Sequence, residues 1–124
     1  MSNFENVKKF METFGQEVRK TPGWCDDDTL DLRLLLIEEE VEELHQGCTK
    51  GDFSNVAKEL VDILYVVYGM GLSLGINLDD CFQEVHRSNM SKLEDGKVLY
   101  RDDGKVMKGK YYTIADIQSI VGQP

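Results

Sequence analysis

Between Val56 and Tyr68 the chain is apolar on nearly every side of a helix, yet Glu59 and Asp62 stand inside that run, one turn apart on a single face. A helix apolar all round belongs in the middle of a fold. An ionised carboxylate in such surroundings costs several kcal/mol unless it is paired, hydrogen-bonded or bound to a metal. The one basic neighbour on this helix is Lys58, which on regular geometry points about 100° away from Glu59. The two acids therefore call for compensation from outside their own helix.

The preceding segment offers more acid, not base. Leu34 to Leu44 carries five glutamates within six positions, and residues three or four apart share a helix face, so Glu39, Glu40 and Glu43 project together. Taken alone, such a run is most simply a solvated acidic face. Set opposite Glu59 and Asp62, Glu40 and Glu43 complete a group of four carboxylates. Hard, oxygen-rich donor sets of this kind suit Mg²⁺ or Mn²⁺. A di-iron bundle also uses carboxylates on facing helices, but it needs two Glu-x-x-His pairs. Glu42-x-x-His45 supplies one, on the wrong face, and His86 follows Gln83 instead of a glutamate.

Punctuation and periodicity draw four main helices. The first opens at Ser2, where Ser2-Asn3-Phe4-Glu5 has capping-box form, carries an apolar stripe Phe4, Val7, Phe10/Met11, Phe14 and Val18, and stops near Thr21-Pro22-Gly23. The second runs from about Asp28 to His45 or Gln46, with Gly47 as its terminator. The third follows Gly51-Asp52 and reaches about Leu74, before Gly75; the fourth starts at the cap Asn77 and fades near Glu94. Beyond Gly96, Lys97–Tyr100 and Lys105–Met107 are β-prone runs around Asp103-Gly104, a hairpin signal. Asp-Gly-Lys-Val occurs twice, at 95–98 and 103–106, which reads as two similar turns. A short helix is expected after Thr113, with Asp116 in a capping position. The expected architecture is all-α and four-helix-bundle-like with a short C-terminal hairpin or tail, in a single domain over residues 1–124, since no linker or composition break divides it.

A net charge of −9 argues against nucleic acid and anionic membrane as partners, but not against a polyphosphate held through a cation. Cys25, Cys48 and Cys81 are odd in number and lack CxxC spacing, so they frame neither a disulfide scaffold nor a zinc site. No leader-like or membrane-spanning run is present, and a cytoplasmic protein is expected (host cytoplasm for a phage-encoded chain).

Glu39-Glu40-x-x-Glu43 followed by Glu59-x-x-Asp62 resembles the signature of the all-α nucleoside triphosphate pyrophosphohydrolases, the MazG superfamily, which includes phosphoribosyl-ATP pyrophosphohydrolase and dimeric dUTPase. Arg33–Ile37, Leu64–Gly69 and Val85–Leu93 extend the resemblance, which covers roughly residues 30–108; the last block is similar to the phosphoribosyl-ATP pyrophosphohydrolase-like branch of bacteria and phages. The resemblance implies a MazG-type fold in which Glu40, Glu43, Glu59 and Asp62 ligate Mg²⁺, with Mn²⁺ as an alternative. Glu39 and Glu40 become the implied catalytic carboxylates, Glu39 as a further ligand or as the group holding the attacking water. Asn89 and Lys92 would contact the phosphates, with Arg87 a weaker candidate; without the family, Arg87 and Lys92 read as basic residues at a helix C-terminus. A homodimer or homotetramer is implied.

The implied reaction is Mg²⁺-dependent hydrolysis of a (d)NTP, a purine dNTP among the candidates, to monophosphate and pyrophosphate. The alternatives are phosphoribosyl-ATP or dUTP as substrate, or a non-catalytic acidic helical oligomer that binds a protein partner. Trp24, Phe53, Tyr65, Tyr68 and Tyr112 are the aromatic residues able to stack on a base, though such residues are more often core; Trp24, in the loop before the acidic helix, stands first.

Overall fold

A computed structural model of the chain describes residues 1–122; residues 123 and 124, counted in the expected single domain, lie outside them. It contains helices α1 (Asn3–Thr13), α2 (Asp27–Lys50), α3 (Phe53–Ser73), α4 (Leu78–Met90) and α5 (Gln118–Val121). Among the described residues β pairing is limited to two isolated antiparallel bridges, Glu94 with Lys97 and Tyr100 with Val106. The all-α expectation holds. The chain divides into two compact units, Met1–Ile76 and the segment from Asn77 onward.

In the first unit, Ser2 Oγ accepts the Glu5 N–H as the capping box predicts. However, α1 stops at Thr13 and does not continue to Thr21: Gln16 N–H donates to Met11 O and Gly15 N–H to Glu12 O, the paired bonds that close a helix. Its buried stripe is Phe4, Val7 and Met11, at i, i+3 and i+7, whereas Phe14 is exposed. The segment after α1 instead runs along the end of α3, with Arg19 N–H on Leu72 O and Gly23 N–H on Leu74 O.

Helix α2 also departs from expectation at its C-terminus. It passes through Gly47 and ends at Lys50 before Gly51. Gly47 is buried where α2 meets α3, and a Cβ there would stand 3.3 Å from the Asn55 and Val56 side chains. Its value is close approach, not capping. The contacts of Gly47 with Asn55 and Val56, Glu40 with Glu59, and Arg33 with Ser73 fix α2 and α3 as an antiparallel pair. Arg33 secures the far end, with Nε on Ser73 Oγ at 3.0 Å and Nη2 on Gln16 Oε1 at 3.1 Å. Helix α1 packs on α3 through the edge-on ring pairs Phe4–Tyr68 and Phe10–Tyr65.

The expectation that α3 is surrounded is not met within one chain. Leu60, Val61, Leu64, Tyr65 and Val67 are all exposed, Val61 to 58%, while the carboxylate Glu59 is only 4% exposed. Two helices cover one side of α3 and leave its apolar remainder on the surface. Among the described residues the buried apolar side chains are Phe4, Val7, Met11, Leu72 and Cys81, a small set for this length of chain.

In the second unit, Asn77 caps α4 by accepting the Asp80 N–H, and α4 ends at Met90, short of Glu94. The following chain folds back on α4: Ser88 Oγ donates to Thr113 O at 2.8 Å, and Thr113 N–H donates to Ser91 Oγ. The two Asp-Gly-Lys-Val copies form two turns. Glu94 and Lys97 exchange both backbone bonds around Asp95-Gly96, and Arg101 N–H pairs with Lys105 O around Asp103-Gly104. Asp116 accepts the Ser119 N–H at the start of α5, the short final helix.

Candidate active site

Glu40 and Glu43 lie one turn apart on α2, and antiparallel packing brings Glu59 of α3 against them. One carboxylate oxygen from each of these three residues lies within 4.8 Å of the others. Asp62, one turn along α3, is not in that group of mutually close oxygens. Its Oδ2 is 2.7 Å from Lys58 Nζ, and Lys58 also lies 3.7 Å from Glu59 Oε1. This corrects the expectation that Lys58 points away: a four-carbon side chain reaches both acids despite the angle at its Cα.

The cluster is electrostatically incomplete. Glu40 Oε2 and Glu59 Oε2 are both buried and lack a hydrogen-bond partner among the described residues. Burial, then the adjoining Glu59 carboxyl, then the negative charges of Glu43 and Asp62 push the Glu40 pKa up to about 7. Carboxylates crowded this way take up protons or a cation. All the donors are oxygens, two are orphaned, and no sulfur or imidazole joins them, so the residues present fit a hard divalent cation. His45 and His86 are both exposed and outside the group.

Glu39 is exposed on α2, outside the three-carboxylate group. Arg87, Asn89 and Lys92 belong to the second unit. The Arg87 guanidinium is already engaged: Nε and Nη2 grip both Glu84 oxygens at 2.6 and 2.9 Å, while Nη1 donates to Thr113 Oγ1 at 2.6 Å. Arg87 and the Asp116 N–H together hold the Glu84 carboxyl down at about 2. Arg87 thus ties the tail to α4. Asn89 is exposed, and Lys92 is half-buried with no ion-pair partner for its ammonium among the described residues.

Residues 7–89 match the phosphoribosyl-ATP pyrophosphohydrolase family. The chain belongs to this family. The match takes in all four acids and ends at Asn89, so Lys92 lies beyond it, while its start at residue 7 brings in most of α1, which the resemblance read from residue 30 onward did not include. An uncharacterized protein of Acanthamoeba polyphaga mimivirus is 40% identical over 82 residues, covering 63% of this chain and 33% of that protein. The chain thus spans about a third of the length of the curated relative it matches.

Trp24 is 67% exposed and lines a cleft of about 80 Å³ with Glu17, Arg19, Cys25, Asp26, Thr29 and Ser73. The three cysteines are free. The residue that sequence reasoning set aside is Lys58, and the signal was available: Lys58 and Asp62 stand at i and i+4, the spacing at which side chains on a helix meet.

Proposed function

We propose that this chain hydrolyses the α–β phosphoanhydride of a nucleoside 5′-triphosphate, releasing pyrophosphate and the monophosphate, with Mg²⁺ or Mn²⁺ at the α2–α3 carboxylates. The observation that carries this reading is the three-carboxylate group of Glu40, Glu43 and Glu59, with an orphaned buried oxygen on both Glu40 and Glu59, in a family of pyrophosphohydrolases. When bound, a divalent cation neutralises phosphate oxygens and lowers the pKa of a coordinated water.

The chain's own groups do the rest. Glu40, Glu43 and Glu59 hold the cation, and Asp62 joins them by giving up Lys58. Glu39, solvent-facing and next to Glu40 in sequence, orients the attacking water. Asn89 and the unpaired Lys92 ammonium take phosphate oxygens as fixed hydrogen-bond donors. Arg87 is left out of that role because Glu84, Thr113 and the Ile114 carbonyl hold its guanidinium in place.

A (d)NTP is the proposed substrate, a purine dNTP the first to try, with phosphoribosyl-ATP and dUTP as alternatives sharing the same anhydride. The exposed apolar residues of α2 and α3, among them Leu34, Leu35, Val61 and Leu64, fit a second copy of the chain, and a homodimer or homotetramer is proposed on that ground. No single helix among the described residues is long and apolar enough to cross a membrane.

The test incubates the purified chain with each (d)NTP and with phosphoribosyl-ATP in the presence of Mg²⁺, and measures pyrophosphate and orthophosphate separately. Monophosphate with pyrophosphate is the expected result. Orthophosphate release points to another phosphatase chemistry, and no turnover across the panel supports the non-catalytic acidic oligomer.

A further inference from the structure

We propose that Lys58 is the resident counter-ion of the carboxylate cluster and sets its affinity for a divalent cation, because metal entry requires the Lys58 ammonium to leave Asp62. This rests on the metal-site reading above. Lys58 Nζ lies 2.7 Å from Asp62 Oδ2 and 3.7 Å from Glu59 Oε1, touching the two α3 acids assigned to the cation.

Two features separate this arrangement from an incidental surface ion pair. The order along α3 is Lys then Asp, the weaker orientation for an i,i+4 pair, so helix stability gives little reason for it. The ammonium also reaches past Asp62 toward Glu59, which is 4% exposed and has one oxygen without a partner. A mobile cation at that position does part of what a metal does: it offsets the mutual repulsion of the acids and keeps α2 and α3 together while the site waits. Its side chain is 66% exposed, so it can swing into solvent with no rearrangement of packing. Once displaced, the same ammonium stands at the rim of the site with its charge unspent.

The proposal predicts competition. Two cations that share Asp62 exclude each other, so removing the lysine charge tightens metal binding, and keeping a charge at the same position restores it. Mn²⁺ alone is titrated into the full chain and free Mn²⁺ is counted by electron paramagnetic resonance. Lys58→Met is expected to bind Mn²⁺ roughly two- to fivefold more tightly than the unaltered protein, the scale of an exposed ion pair. Lys58→Arg and the remote control Lys50→Gln stay close to the unaltered protein.

In parallel, the metal-free melting temperature of Lys58→Met falls and its rise on adding Mn²⁺ grows. Lys58→Gln gives the same ordering with a smaller change in polarity. Equal or weaker Mn²⁺ binding by both neutral variants overturns the role of Lys58 and leaves the metal site standing. Absence of Mn²⁺ binding in every protein overturns both. Binding seen in the neutral variants alone is the proposal in its strongest form.

Discussion

Glu40 of α2 and Glu59 of α3 meet across the helix pair, each with one buried carboxylate oxygen that has no hydrogen-bond partner among the described residues. Two acids arranged this way cannot both remain charged without cost, and the strain appears at Glu40, whose pKa is raised from 4.5 to about 7. The folded chain therefore holds a proton that the unfolded chain has already released between those values. Stability of the metal-free protein falls as pH rises from about 4.5 to about 7 and is level above that. Discounted for the partial exposure of Glu40, the loss is of order 1 kcal/mol. Thermal melts at pH 5 and pH 8 read it directly. Millimolar Mn²⁺ should raise the melting temperature most at the higher pH, since cation and proton compete for the same oxygens. A melting temperature at pH 8 indifferent to Mn²⁺ counts against the site.

Asp62→Asn should fold normally and lose turnover by about 100-fold or more, on the scale of disrupting a metal site. Folding survives because the amide keeps the size of the carboxylate and Lys58 is free to turn to solvent. Circular dichroism checks the first half and pyrophosphate release the second. Unchanged turnover removes Asp62 from the site.

Lys92→Ala and Arg87→Ala should fail in different ways. Lys92 has no ion-pair partner among the described residues, so its loss is expected to raise KM roughly tenfold with little change in melting temperature. Arg87 binds Glu84 and Thr113, so its loss should loosen the tail, measured as faster amide exchange at Thr113 to Asp116. If instead Lys92→Ala destabilises the fold and leaves KM alone, Lys92 is structural.

How far the sequence reveals this molecule follows from the range of each interaction. Caps are local, and Ser2, Asn77 and the run from Asp52 to Gly75 are read correctly from a few neighbouring residues. The four acids are legible as two helical pairs because their spacing is local too. The end of α1 is not, since Phe14 and Val18 continue an apolar rhythm after the backbone has closed on Gly15. Gly47 looks like a terminator because a cap and a helix crossing ask for the same residue. Lys58 is lost by treating a side chain as a rigid vector, and the bonds of Arg87 to Thr113 and Ile114 are not legible because the tail that returns to meet it is distant in sequence.

Val61 tests the proposed oligomer. It is 58% exposed in an apolar stripe with Leu60 and Leu64, and covering the exposed half of such residues contributes about 1 kcal/mol each. Val61→Glu places a charge in that surface and should shift the protein to a smaller species in sedimentation velocity, with loss of activity where the site draws on two copies. A sedimentation coefficient identical to that of the unaltered protein moves the interface elsewhere.

Gly75 and Gly51 offer a matched pair for the backbone. Both have left-handed φ, +67° and +68°, and both follow the end of a helix. A Cβ on Gly51 meets nothing within 4 Å, so Gly51→Ala pays only the conformational strain, about 1 kcal/mol. A Cβ on Gly75 would lie 2.1 Å from the carbonyl oxygen of Thr21, a backbone atom that cannot rotate aside. Relief requires moving the segment whose Arg19 and Gly23 N–H groups bond to the end of α3. Gly75→Ala should therefore cost about 2–4 kcal/mol, well above the value for Gly51→Ala, in urea unfolding of the two variants. Equal losses would mean that the chain from Thr21 to Gly23 yields freely, and that its bonds to α3 contribute little to holding the first unit together.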